Sequence, residues 1–287
     1  MGLVTLTPLV MKLNALNKLT ENGNNTAKMP VLFLGHGSPM NAIEENEFVQ
    51  GFRKVASEIP RPDAILCISA HWETKGTFVT AMQYPKTIHD FGGFPQELYK
   101  VQYPAPGSIE LANEIHDIVT KTSIGLNENW GLDHGAWSVI RHMYPEADIP
   151  VIEMSLDYSQ SPQYHYELAQ EIALLRHKGV LIIGSGNIVH NLRRIAWDKL
   201  ETPGFGFDWA IEANNKIKEL VTNGDHNALI NYPSLGRSFE LAVPSPEHYM
   251  PMLYILALKD KNESFRFFND KAVGGSLTMT SLISMDN

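Results

Sequence analysis

The chain has 287 residues, 44% of them hydrophobic, and its 32 acidic and 23 basic side chains give a formal net charge of −9. An acidic chain without clustered Lys or Arg has no electrostatic footprint for a phosphate backbone, so a nucleic-acid partner is not expected. No apolar run reaches the ~18 residues of a membrane span, and residues 1–28 lack the apolar block and small-residue cleavage site of a signal peptide.

Leu9, Leu13 and Leu16 fall at the spacing of a short amphipathic helix, and residues 21–28 form a polar, asparagine-rich linker. We therefore expect an N-terminal extension and linker at 1–28 and one domain at 29–287. Apolar, β-branched runs predict strands at 31–34, 64–70, 77–82, 149–156, 180–183 and 276–283. Helical spacing predicts helices at 43–58, 108–122, 134–144, 163–178, 207–222 and 248–259. Pro60 and Pro62 break the first of these, Ser108 suits an N-cap, and Gly179 suits a helix stop. Strands separated by helices in this way predict an α/β domain, with a central, mostly parallel sheet and helices on both faces. Residues 84–106 form a long loop rich in aromatics, Pro and Gly, and such a loop in a compact domain usually covers something. The single cysteine, Cys67, sits inside an apolar run and can form no internal disulfide, which suits the reducing cytoplasm.

The histidines carry the functional signal. His36 follows Val31-Leu-Phe-Leu-Gly, His71 follows Ala64-Ile-Leu-Cys-Ile-Ser-Ala, and His190 comes shortly after Val180-Leu-Ile-Ile-Gly-Ser-Gly-Asn. In open α/β sheets, ligands bind outside the carboxyl ends of the strands, so three imidazoles arriving there can converge. His248, in Pro244-Ser-Pro-Glu-His-Tyr, stands where a helix is expected to begin. Neutral imidazole is the commonest metal-ligating side chain, and a metal site at the strand carboxyl ends is the simplest use of such a set. The glycines flanking His36 would let backbone pass close to a metal and a flat ring. Gly184-Ser-Gly-Asn begins like a dinucleotide fingerprint, but Val189 occupies the third glycine position, so nucleotide binding is weak. His116, His165 and His177 lie among polar residues on helices and are expected to face solvent, and His226 reads as a loop residue. His142 near a helix end needs no role beyond the helix dipole. His134, between glycines and tryptophans, and His89, in the aromatic loop, fit a pocket wall.

Seven motifs in order, Leu34-Gly-His-Gly-Ser-Pro-Met, Ser69-Ala-His-Trp, Ile88-His-Asp-Phe-Gly-Gly-Phe-Pro, Tyr103-Pro-Ala-Pro-Gly, Gly131-Leu-Asp-His-Gly-Ala-Trp, Gly184-Ser-Gly-Asn-Ile-Val-His-Asn and Pro246-Glu-His-Tyr, resemble the bacterial DOPA extradiol dioxygenases. These belong to the class III ring-opening superfamily of the protocatechuate 4,5-dioxygenase type. The resemblance runs from about Met29 to the C-terminus. It implies one α/β domain, a mononuclear metal site, and cleavage of a catechol such as L-DOPA with O₂ beside its hydroxyls. It further implies that His36, His71 and His248 are metal ligands. His190 is implied as a further metal contact or as the acid/base, and His134 as an active-site histidine.

An extradiol enzyme must leave room around its metal for both catechol oxygens and O₂, so protein groups fill only part of the coordination shell. A nearby neutral imidazole can take catechol protons at physiological pH, a role for His190, with His134 assisting on the oxygen side. The loop residues His89, Phe91 and Phe94 are expected to wall the ring from water. Asp133, next to His134 in sequence, is a candidate to orient it, and Arg193 and Arg194 could pair with a substrate carboxylate. Where a carboxylate would complete an iron triad, Glu247 stands next to His248, and either could face the metal. A site of histidines suits Zn²⁺ as the bound ion, with Fe²⁺ required for turnover. A zinc hydrolase using the same histidines, with Glu247 or His190 as base, and a non-catalytic metal-binding protein are the other two readings. The partners implied are a catechol and O₂, with no nucleic acid or membrane, in a monomer or small homo-oligomer.

Overall fold

Val, Ile and Leu in unbroken runs make strands that must be covered on both faces, and the centre of this fold is built from four of them. In the computed structural model, which describes residues 28–287, the strands are β1 (Val31–Gly35), β2 (Ala64–Thr74), β3 (Thr77–Thr80), β4 (Ile124–Asn127), β5 (Val151–Asp157), β6 (Val180–Gly186), β7 (Glu263–Phe268), β8 (Ala272–Val273), β9 (Leu277–Thr278) and β10 (Ser281–Asp286). Eight form one sheet in the order β4-β3-β5-β2-β6-β1-β10-β7, while β8 and β9 pair separately. The central strands β5, β2, β6 and β1 are parallel to one another; β3 runs against β5, and β10 runs against both β1 and β7.

Alternation along the strands divides the core in two. Leu32 and Leu34 point to the face covered by α1 (Glu47–Glu58) and α3 (His134–Met143), through Phe52, Val55, Trp137 and Ile140. Val31 and Phe33 point to the other face, against α2 (Ile109–Ile118), α4 (Pro162–Glu171), α5 (Asp208–Asn223) and α6 (Met250–Ala257). The expected mostly parallel α/β domain is therefore what forms. Among the described residues no helix is long and apolar enough to cross a membrane. The amphipathic segment at Leu9, Leu13 and Leu16 lies outside them.

Local differences from the expected elements have physical causes. Residues Pro39–Ala42 wind as a 3₁₀ turn, and Asn46 caps the N–H groups of Phe48 and Val49, so α1 starts four residues later than expected. The helix expected at 163–178 stops at Glu171 and tightens into a 3₁₀ stretch, Ala173–Lys178, before Gly179 turns the chain at φ 73°. The strand expected at 276–283 is instead β9 followed by β10. Three strands were not expected, the two-residue β8 among them. β4 is short with a single buried position, and β7 is an edge strand interrupted by Ser264 and Arg266, so neither carries a clean apolar pattern.

Arg176, fully buried, joins the first strand region to the last. Its guanidinium donates to the carbonyls of Met29 (2.8 Å) and Leu258 (2.6 Å) and forms a two-pronged pair with Glu263, which also meets Lys28 at 2.9 Å. Burial alone would raise the Glu263 carboxyl; Arg176 outweighs it and holds the group down to about 2. An unfolded Glu titrates near ~4.3. The pair therefore stabilises the fold fully above that value, and the contribution is lost as pH falls toward 2. Glu263→Gln leaves a buried cation unpaired, and we expect it to lose about 3–5 kcal/mol at neutral pH. Urea unfolding across pH 2–7 checks this: the variant's stability should fall less steeply with acid than the wild type's.

Candidate metal centre

Two adjacent parallel strands end at one level, because Gly35 of β1 pairs with Gly186 of β6, and β2 runs past that level beside them, its Ser69 pairing with Ser185 of β6. His36 leaves β1 there, its N–H donating to the Gly186 carbonyl at 3.1 Å. His71 does not lie past its strand, as expected, but within it. β2 runs on to Thr74 with a register shift against β5 between Ile68 and Glu73, and such an irregularity re-aims a side chain. His248 does not open α6. The Asn187 N–H donates to its carbonyl at 3.0 Å, tying it to the end of β6, and the helix begins two residues later.

His36, His71 and His248 each offer a nitrogen within 4.8 Å of the others. Each outer nitrogen has a polar group beside it. Ser185 donates its one hydroxyl proton to the Gly135 carbonyl (2.5 Å), so it accepts from His36 Nδ1–H at 3.0 Å, leaving Nε2 with a free lone pair. His71 Nδ1 lies 3.5 Å from an Asp90 carboxylate oxygen, and His248 Nδ1 lies 3.2 Å from Glu247 Oε1. The inner nitrogens of His36 and His71 then face each other at 3.1 Å. Two lone pairs that close repel unless a proton or cation lies between them. Burial lowers all three imidazoles, His36 and His248 well below the ordinary histidine value and His71 to about 3, with neighbouring histidines adding to the effect. Held neutral, with polar groups steering each ring from outside, they are the donor set a divalent cation takes.

His190 stands differently. Its ring lies flat on His248, centroids 3.5 Å apart and planes 7° from parallel, and burial lowers it to about 4. His190 does not fall in the grouping of His36, His71 and His248; with Glu247 and His248 it makes a second grouping of possible ligands. His134, the first residue of α3, lies against His71 with ring centroids 3.9 Å apart.

The residue that sequence reasoning missed is Asp90. One of its oxygens accepts from the His134 backbone N–H at 2.9 Å, and the other lies 2.9 Å from His134 Nδ1 and 3.5 Å from His71 Nδ1. Burial would raise this carboxyl, but His134 and His71 outweigh it and keep it low and charged. Asp133, the expected partner of His134, instead caps α3 at Ala136 and accepts from Ser69 Oγ at 2.7 Å, so adjacency in sequence misled. The glycine expectation is also corrected. A Cβ on Gly35 would sit 2.6 Å from the Met279 carbonyl oxygen, and Gly37 has φ +64° with Met279 sulfur in the way, so packing against Met279 requires them.

Phe91 meets His134 edge-on at 5.5 Å and packs on Phe94, Tyr99 and Trp137. His89 Nε2 bonds the Val101 carbonyl, and its ring touches Phe91, Tyr99 and Trp137, one layer further out. Arg193 and Arg194 are exposed on a turn. His165 is not at the surface: it is buried between Tyr254 and the Asp157 carbonyl. His226 lies in a short helix with Tyr166 bonded to its ring, and His116 is bonded to the Ile124 carbonyl.

Comparison with known proteins decides the reaction class. The model of the family described as the catalytic LigB subunit of aromatic ring-opening dioxygenase matches residues 29–278. This chain belongs to that family. It is 43% identical over 262 residues to a 4,5-DOPA dioxygenase extradiol of Escherichia coli (strain K12), covering 90% of this chain and 95% of that protein. It is 36% identical to one of Beta vulgaris, covering 87% and 94%. A crystal structure of an uncharacterized protein from Escherichia coli K12 superposes with a TM-score of 0.77 at 38% identity, over 89% of this chain and 99% of that one. As a ring-opening dioxygenase of the LigB family the protein works on an aromatic ring with O₂, and the family uses a metal, for which the histidine cluster is the fitting site. The hydrolase and non-catalytic readings are set aside.

Proposed function

We propose that this LigB-family enzyme is an extradiol dioxygenase that opens the ring of L-DOPA by 4,5-cleavage, with His36, His71 and His248 holding one metal ion. The observation that carries the ligand assignment is the convergence of three ring nitrogens whose outer nitrogens are each engaged by Ser185, Asp90 or Glu247. That the relatives from Escherichia coli and Beta vulgaris are 4,5-DOPA dioxygenases supports the substrate. Residues 29–287 would then be the catalytic domain and 1–28 an extension.

Fe(II) bound there would let electrons pass from a catecholate to O₂ and end in its starting oxidation state, whereas Zn(II), the ion a histidine set readily retains, has no second oxidation state to use. His190, kept neutral by burial, takes a hydroxyl proton from the incoming catechol. Asp90 aligns His134 so that its ring can donate toward oxygen as the ring opens. Phe91, with Phe94 behind it, closes the aromatic side of the site and keeps water away from the ring, while His89 braces Phe91. Glu247 acts on the outer nitrogen of His248. The buried Cys67 fits a reducing cytoplasm, and we take the enzyme to work as a monomer or small homo-oligomer.

Metal stripping followed by loading with Fe(II) or Zn(II) tests this. With L-DOPA under air, the iron form should consume O₂ and form a yellow product, and the zinc form should not. Turnover by the zinc form alone would sink the chemistry proposed.

A further inference from the structure

A second concave site lies apart from the cluster of His36, His71 and His248, on the face covered by α1 and α3. It is a cleft of about 590 Å³ between the end of α1, the turn after it and the end of α3. That volume is within the range of small-molecule sites, roughly 300–1,000 Å³. On a chain of formal charge −9, the lining of this cleft holds Arg53, Arg61, Arg141 and His142 and no acidic residue.

The basic groups are not equivalent. Arg53 pairs with Glu45 and Arg61 with Asp148, both at 2.6 Å. His142 is bonded on both nitrogens: Arg53 can only donate, so Nδ1 accepts from it at 3.5 Å and Nε2–H donates to the Asn41 carbonyl at 2.7 Å. Arg141 is different. Among the described residues no carboxylate lies within ion-pair distance of it, and its Nη1 is buried without a hydrogen-bond partner. The Tyr144 hydroxyl, also lining the cleft, is likewise buried and unpartnered. Buried polar groups are nearly always hydrogen-bonded, so two orphans on one cleft are a signal. A favourable helix dipole explains why a cation sits in the last turn of α3, but it does not supply hydrogen-bond acceptors.

We propose that this cleft binds a small organic oxyanion, with the Arg141 guanidinium gripping a carboxylate or phosphate group and the apolar lining of Ala56, Ile59, Met143 and Pro145 receiving its body. The planar guanidinium fork suits either head group. Arg53 and Arg61 are each already neutralised by an acidic partner, which leaves Arg141 as the lining arginine with no such partner.

Calorimetric titration of the metal-loaded protein tests the proposal, with phenyl phosphate and benzoate as probes and inorganic phosphate and benzyl alcohol as controls. Saturable 1:1 binding of at least one organic anion is expected, tighter than inorganic phosphate, with no binding of the neutral alcohol. Arg141→Gln should weaken it at least about tenfold while ring opening stays unchanged. His36→Ala should leave it intact, which separates the cleft from the metal. Three outcomes overturn the proposal: no saturable binding, equal affinity in Arg141→Gln, or loss of binding in His36→Ala. Equal binding of inorganic phosphate overturns the part assigned to the apolar lining.

Discussion

His36→Ala is expected to leave a folded protein that holds no stoichiometric metal and opens no catechol. His36 is held by Ser185 at its outer nitrogen, presents its inner nitrogen to the convergent site, and is 1% exposed, so no neighbouring side chain can swing into its place. The loss of turnover should exceed the roughly 10- to 100-fold that changes in outer-shell partners cause. Elemental analysis by plasma mass spectrometry, with O₂ uptake on L-DOPA, measures both. Retention of one equivalent of metal by the variant would remove His36 from the ligand set.

His190→Ala is expected to behave in the opposite way on one of those two readouts. A stacked ring that only receives a proton can be deleted without emptying the metal site, so metal content should stay near that of the wild type. Turnover should fall by roughly 10²–10⁴, the usual contribution of a positioned acid or base. Joint loss of metal and activity would make His190 a ligand instead. The comparison with His36→Ala is sharp because both rings neighbour His248, His36 tilted to it at a centroid separation of 5.2 Å and His190 stacked on it at 3.5 Å.

The parts of this site that could be read in the sequence are those fixed by the backbone pattern. A strand run ending at Gly35 and another ending near Gly186 announced where His36 and His190 would emerge, because parallel strands covered on both faces leave only their ends for polar chemistry. The motifs around His71 and His248 were visible too, though their settings were not. His71 depends on a register shift within β2, and His248 on a backbone bond from Asn187, and neither leaves a periodic trace. Asp90 was hidden for a different reason. It sits in a loop without periodicity, and its partners His71 and His134 are distant in sequence, so only the folded loop shows that one carboxylate serves two rings. Asp133 was the tempting choice because it is adjacent, but an N-cap must point its side chain back at its own helix.

The place of β10 between β1 and β7 has a consequence for how the enzyme is made. Gly35, one residue before His36, donates its N–H to Ser281 Oγ across 246 positions of chain, and Val31 does the same to Ser284 across 253. The strand that leads to His36 therefore gains its second neighbour only once β10, far later in sequence, has been made. Contacts that distant close slowly, since a long loop must be ordered before any of them forms. Because metal affinity arises only from the assembled ligands, the nascent chain presents scattered single histidines and no site. The proposed ligands His36, His71 and His248 likewise come together only through contacts between distant segments, so on that reading metal loading follows their assembly.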